Sequence, residues 1–230
     1  MSVEVAAARG TAGAGGSPVS SPVVARLLLL RHAESEWNAE GRWQGQADTP
    51  LTERGRRHAA EAGPLLARFE MLVSSDLRRA RQSAEIIAAS AGIKTITEEP
   101  RLRERYAGPW QGLTVDEIER DWPGYLAGGR RPDEYETDEL LAPRVDAALI
   151  DLAALANCRG TPELLVITHG GVISNLTIRS GLPMAPMPNL SGRWVTVTDD
   201  AVTVGEAVTV GDAEKHSSQA VEAGRGAGAP

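Results

Sequence analysis

Three short apolar runs in this 230-residue chain each end on residues that can do chemistry. Val23–Leu30, apolar except for Arg26, passes directly into Arg31 and His32. Leu164–Thr168 passes directly into His169-Gly170-Gly171, and Met71–Ser74 leads into Ser75-Asp76-Leu77-Arg78-Arg79. A neutral imidazole, with a reference pKa of about 6.5, is a good nucleophile near neutral pH. Guanidinium forks donate paired, charge-assisted hydrogen bonds that suit the oxygens of a tetrahedral anion. His32, His169, Arg31 and Arg79 around one cleft would hold a cation badly and a phosphate group well. A lone histidine is usually structural, and an arginine in a helix's first turn is usually a solvated charge. It is the repeated placement at strand ends that favours chemistry.

Proton transfer needs a further group. Glu104, in Arg101-Leu102-Arg103-Glu104-Arg105, follows the β-branched segment Ile93–Thr97. Flanked by arginines, it is either a salt-bridged surface residue or a group that holds a proton beside bound phosphate and donates it to a leaving oxygen. A zinc site made of His32, His169 and Glu104 is the competing reading. The positive charge of Arg31 and Arg79 opposes it, and neither a metal nor another cofactor is expected.

The elements that must position these residues alternate. Val23–Leu30 and Leu164–Thr168 read as strands buried on both faces. Met71–Ser74 and Ile93–Thr97 are shorter strands. Helices are expected over Thr52–Phe69, interrupted near Gly63-Pro64, over Asp76–Ala89 with an apolar stripe of Leu77, Ala80, Ala84 and Ile87, and from about Gly171 to Ser180. Thr114 and Glu117 have capping-box spacing for a short helix that stops before Pro123. Asp138–Ala156 is expected to be helical, with Pro143 in its first turn or at a kink. Gly124–Thr137 reads as irregular. Arg193–Thr198 and Ala201–Val204 form a final hairpin around Asp199-Asp200. This order means an α/β fold with a mostly parallel sheet covered on both sides. Ligands of such sheets bind beyond the carboxyl ends of the strands, where the two histidines fall.

Composition narrows the function. A formal charge of −7 argues against a general nucleic-acid binder. The single cysteine, Cys158, rules out an internal disulfide and any multi-cysteine metal site; it reads as a small, partly buried side chain. No apolar run is long enough to span a bilayer, and the start of the chain is unlike a signal peptide, so a cytoplasmic protein is expected. Residues 1–22 and 211–230, rich in Ala, Gly and Ser, read as a disordered leader and tail around a single domain at 23–210. The final hairpin, at a sheet edge, offers a surface on which two copies could pair.

Four ordered motifs resemble the histidine phosphatase superfamily, in the branch that includes cofactor-dependent phosphoglycerate mutase. They are Leu30-Arg31-His32-Ala33-Glu34 through Asn38 with Leu51-Thr52-Glu53-Arg54-Gly55; Ser74-Ser75-Asp76-Leu77-Arg78-Arg79-Ala80; Leu102-Arg103-Glu104 followed by Gly108, Trp110, Gln111, Gly112 and Leu113; and Thr168-His169-Gly170-Gly171. The resemblance covers about residues 26–182. It implies a three-layer, phosphoglycerate mutase-like sandwich in which His32 forms a phosphohistidine. It also implies that Arg31, Arg79 and His169 bind the phosphoryl group, with neutral hydrogen bonds from Asn38 and Gln44, and that Glu104 is the general acid. The family usually has Gly where this chain has Ala33, a costly change only if the backbone there needs a positive φ.

Mutases of this family carry a long insertion between the acid and the second histidine. Here Asp121–Thr137 is the one short stretch that could serve as a lid. The resemblance therefore implies a phosphatase acting on a small phosphorylated metabolite such as a phosphosugar or a phosphoglycerate. Mutase-type transfer is the alternative, and a non-catalytic binding protein a remoter one. Trp37, Trp43 and Trp110 border the motifs as pocket walls or as core. Arg130 and Arg131 either meet a second acidic group of the substrate or belong to a solvated loop. His58 and His216 read as solvated.

Overall fold

The computed structural model describes residues 23–198 and 201–211. Among these, strands β1 (Val23–Arg31), β2 (Met71–Ser74), β3 (Thr95–Glu98), β4 (Glu163–Thr168), β5 (Ser191–Thr198) and β6 (Val202–Thr209) form one sheet in the order β3-β2-β4-β1-β5-β6. Neighbouring strands from β3 to β1 run parallel, while β5 is antiparallel to both β1 and β6. The helices are α1 (Glu36–Ala39), α2 (Glu53–Ala62), α3 (Arg78–Ala91), α4 (Val115–Asp121), α5 (Asp138–Arg159) and α6 (Gly170–Arg179).

The period-two alternation of the central strands sorts their side chains into two cores. Leu27 and Leu29 of β1 and Leu164 and Val166 of β4 pack with Leu141, Val145, Leu149 and Leu152 of α5 and Val172, Ile173 and Leu176 of α6. Leu28, Leu30, Leu165 and Ile167 point the other way, onto Ala59 and Ala62 of α2 and Ala80, Ala84 and Ile87 of α3. Burying each Leu is worth roughly 1.5–3 kcal/mol, so these strands are held by both faces. The result is the expected α/β architecture, with helices on both sides of a six-stranded sheet.

Details differ from expectation for local reasons. Helix α3 starts two residues late because Leu77 is still extended, and it ends at Gly92 in a left-handed turn (φ 77°). That turn places Ile93 before the strand, so β3 begins at Thr95. Pro143 lies in the second turn of α5, not the first, and the helix runs on to a left-handed Gly160. The hairpin strands are longer than expected, and its turn at Asp199-Asp200 lies outside the described residues, as do the leader, the tail beyond Gly211 and His216. Cys158 is exposed, not partly buried, and His58 is half-buried on α2. Among the described residues no helix is long and apolar enough to cross a membrane. The capping box of Thr114 and Glu117 forms as expected at the start of α4.

Candidate active site

Strand register builds the floor of the site. Arg31 pairs with Thr168 across β1 and β4, so His32 and His169 are the first residues beyond the ladder on adjacent strands. The His32 N–H still donates to the Thr168 carbonyl (2.9 Å), and the two imidazole centroids lie 5.3 Å apart. On the other side of β4, Ser74 pairs with Ile167, and the Ser75 N–H donates to the Ile167 carbonyl (2.9 Å). Helix α3 follows after three residues and sends Arg79 from its first turn towards His32.

The contacts of His32 define its chemistry. Arg79 Nε can only donate, and it lies 3.1 Å from His32 Nε2, so Nε2 carries a lone pair. Nδ1 lies 2.7 Å from the Ala33 carbonyl and therefore holds the proton. Burial, and then the charges of Arg79 and Arg31, hold the imidazole pKa well below its ordinary value. His32 is thus a neutral base with its lone pair turned to Arg79 and the charge of Arg31 nearby. His169 is likewise held well below its ordinary value, by burial first and then by Arg79.

Arg79 is 1% exposed. Besides its bond to His32, it donates to the carbonyls of Ala47 and Gly45 (2.8 Å each). Two of its five N–H groups remain for an anion. Burial lowers its pKa to about 10, which leaves it a cation at neutral pH. Arg31 is half-buried and donates to the Met187 carbonyl (2.6 Å); burial lowers its pKa, against the opposing charge of Glu104.

Glu104 is no salt-bridged surface residue. Its arginine neighbours are engaged elsewhere: Arg101 with Glu99 and Asp151, Arg103 with Asp76, Arg105 with Asp138. Its carboxylate instead accepts the backbone N–H groups of Arg105 (2.7 Å) and Gly171 (2.9 Å). A Cβ at residue 171 would overlap Glu104 Oε1, so glycine at the start of α6 is what lets the acid approach. The loop behind it is held by Arg144 of α5, which donates to the carbonyls of Arg101 (2.6 Å), Arg103 (2.8 Å) and Glu104 (3.1 Å). Arg144 also pairs through both ends of its fork with Glu136 (2.7 and 2.8 Å).

Arg31, His32, Asn38, Gln44, Arg79 and Glu104 line one cavity of about 410 Å³, together with Trp37, Trp43, Arg42, Arg105, Tyr135 and the glycines 170 and 171. His169 stands immediately behind this lining and is fully buried. The Gln44 amide oxygen meets the hydroxyls of Ser35 (2.8 Å) and Thr49 (2.7 Å). Asn38 closes a capping box with Ser35 at α1. Ala33 is buried in the core, its N–H donates to Ser83 Oγ (2.9 Å), and it lacks a positive φ, so the extra methyl costs nothing in the backbone. The Leu51–Gly55 motif braces the loop after His32: Thr52 and Arg54 donate to the Glu34 carboxylate (2.7 and 3.0 Å), and the Gly55 backbone packs on the Glu34 carbonyl.

The tryptophans divide. Trp37 and Trp43 line the cavity, whereas Trp110 is fully buried below, 5.1 Å edge-on from Trp43 and 6.0 Å from Tyr135. Arg131 stacks over Trp43, Trp110 and Tyr135, and Arg130 over Tyr125 (4.2 Å); neither arginine lines the cavity. Asn189 went unseen in the sequence. Its amide donates to the His32 carbonyl (2.9 Å) and reaches Asn38 Oδ1 (3.3 Å), next to Leu190 at φ 58°. The Pro188-Asn189 turn was its sole signal. Among the described residues no three His, Cys, Asp or Glu side chains cluster to hold a metal ion.

Residues 27–203 match the family model of the histidine phosphatase superfamily, branch 1. A glucosyl-3-phosphoglycerate phosphatase of Mycobacterium tuberculosis is 34% identical over 186 residues, covering 73% of this chain and 80% of that protein. A mycobacterial glucosyl-3-phosphoglycerate phosphatase solved with VO3 superposes with a TM-score of 0.70 at 28% identity, over 81% of this chain and all of that one. A phosphoglycerate mutase from Bacillus anthracis superposes at 0.71 with 26% identity, over 82% of this chain and 93% of that one.

Proposed function

The chain belongs to branch 1 of the histidine phosphatase superfamily, and from that premise we propose that it hydrolyses a small phosphomonoester through a phosphohistidine on His32. The observation that carries this reading is the state of His32: a neutral ring, its Nδ1 proton held by the Ala33 carbonyl, its Nε2 lone pair turned to Arg79 on the lining of the cavity. Arg31, Arg79, Asn38, Gln44 and His169 hold the phosphoryl oxygens. Nε2 attacks phosphorus as the ester oxygen departs, and protonated Glu104 supplies that oxygen with a proton. The ring then carries a positive charge, and its Nδ1–H bond to the Ala33 carbonyl strengthens. Glu104, now a carboxylate, takes a proton from water, which attacks phosphorus, releases phosphate and restores His32. Positioning and charge account for most of the acceleration in phosphoryl transfer, so the cycle needs no metal.

For substrate, the relatives' phosphorylated glycerates set the class. Trp37, Trp43 and Tyr135 offer ring faces for a sugar, and Arg42 and Arg105 add positive charge at the rim. Hydrolysis is favoured over mutase transfer because α4, α5 and β4 occupy most of the chain between Glu104 and His169, leaving little to close over the cavity.

The test is turnover of p-nitrophenyl phosphate and a panel of phosphorylated metabolites, with an alkaline quench to trap phosphohistidine. Wild type should carry phosphate on His32 and turn over undiminished in excess chelator. A His32→Ala variant that kept its turnover would overturn the mechanism, and a chelator loss restored by zinc would overturn the metal-free cycle. Conversion of 3-phosphoglycerate to 2-phosphoglycerate without phosphate release, primed by 2,3-bisphosphoglycerate, would assign a mutase instead.

A further inference from the structure

We propose that Ser75 is a positioning residue that fixes His169 as the Nδ1–H tautomer, so that a buried donor stands ready for a phosphoryl oxygen. The inference rests on the phosphoryl-binding role proposed for His169. Ser75 Oγ lies 2.9 Å from His169 Nε2, and both residues are fully buried. Between an imidazole and a hydroxyl, either partner can be the donor. Here a third group decides. The Leu77 N–H, at the start of α3, donates to Ser75 Oγ (3.3 Å), so a lone pair of that oxygen is already in use. In a buried position the hydroxyl hydrogen must also find an acceptor, and His169 Nε2 is the partner within reach. Ser75 therefore donates, Nε2 accepts, and the ring proton resides on Nδ1.

That nitrogen is buried and has no hydrogen-bond partner among the described residues. An unpaired buried donor is costly in a resting protein, and it becomes useful when an anion arrives. If His169 binds the phosphoryl group through Nδ1, as the proposed function requires, the opposite tautomer would present a bare lone pair to it and repel it. The sheet supplies the lock. Ser75 and His169 leave adjacent parallel strands, β2 and β4, whose pairing ends at Ser74 and Ile167, and the Ser75 N–H to Ile167 bond carries the register one residue further.

The test is nitrogen-15 NMR of the full chain labelled at histidine, in which the protonated and bare ring nitrogens of each tautomer have distinct shifts. Wild-type His169 should be protonated at Nδ1, and adding inorganic phosphate should move that signal. In Ser75→Ala, His169 should shift to the Nε2–H form or a mixture while His32 stays Nδ1–H, and kcat/KM should fall about 10²-fold, as for loss of one preorganised donor. Ser75→Thr, which keeps the hydroxyl, should recover both. Wild-type His169 protonated at Nε2 would overturn the proposal, and that measurement stands even if Ser75→Ala does not fold. So would a folded Ser75→Ala with tautomer and turnover unchanged. A His169→Ala variant with full turnover would instead overturn the phosphoryl-binding role and the catalytic half of the lock with it, leaving the tautomer to the wild-type spectrum.

Discussion

The floor and the wall of the cavity are built on opposite principles. The floor comprises Arg31, His32, Arg79 and His169, delivered by β1, α3 and the end of β4. His32, Arg79 and His169 are each at most 2% exposed, and backbone carbonyls or neighbouring side chains hold them in directional hydrogen bonds. The wall is made by loops. Trp43 and Tyr135 meet each other and Trp110 by edge-on ring contacts at 5.1–6.3 Å, with Arg131 laid over the group. Ring packing tolerates shifts that a hydrogen-bonded nucleophile does not. On the proposed mechanism the floor fixes the reaction, and the wall is free to set the substrate.

The largest break in that contrast should come from the floor. Arg79→Met removes the cation that faces His32 and should lower kcat/KM on p-nitrophenyl phosphate by about 10³-fold or more, in steady-state assays. A loss under tenfold would mean that Arg31 alone neutralises the phosphoryl group. Arg144 joins the two regions, since it grips the carbonyls around Glu104 and the Glu136 carboxylate at once. Arg144→Met should cost about tenfold in kcat with KM little changed, and about 1–3 kcal/mol of stability by urea denaturation, because half-buried Glu136 loses its ion pair and keeps the Tyr106 N–H.

The pH profile sharpens the contrast more gently. Both floor histidines are held well below 6.5 by burial and by Arg79. Turnover should therefore persist below pH 6.5, where an ordinary histidine nucleophile would be protonated. Stability runs the other way. Unfolded histidines take up protons as the pH falls below about 6.5 while the folded ones do not, so the stability due to the neutral pair is full above 6.5 and is lost as the pH falls towards the lower folded value. Denaturant midpoints rising from pH 7 to pH 5 would contradict it. The smallest effect belongs to the wall. Tyr135→Ala should change p-nitrophenyl phosphate turnover by less than about threefold while reordering the ranking of a metabolite panel. A uniform loss across all substrates would move Tyr135 into the floor.

The same contrast governs what could be read from the sequence. His32 and His169 were legible because apolar runs buried on both faces end abruptly, and a strand end in an α/β sheet is where ligands sit. Arg79 was legible from a strand-to-helix junction with an apolar stripe to orient it. Glu104 was found, but its two readings could not be separated, because what separates them is the backbone N–H of Gly171, which leaves no side-chain signature. Arg144, Asn189 and the Met187 carbonyl act on partners 40 to 157 positions away, through the backbone, and no local pattern records that. The first turn expected for Pro143 was wrong by one turn, because α5 already starts at Asp138 and buries Leu141 and Val145 on either side of the proline.

The pairing of β1 with β4 also has a consequence in time. His32, the proposed nucleophile, precedes the rest of the floor in the chain, yet that floor is incomplete until β4 has been made and inserted between β1 and β2, and β5 must then add to the far side of β1. Contacts so distant along the chain form slowly. A nascent chain emerging from the ribosome carries His32 and Arg79 long before it carries the strand that brings them together. Recovered turnover during refolding should therefore lag behind the helical signal, and a chain that stops short of β4 should release no phosphate.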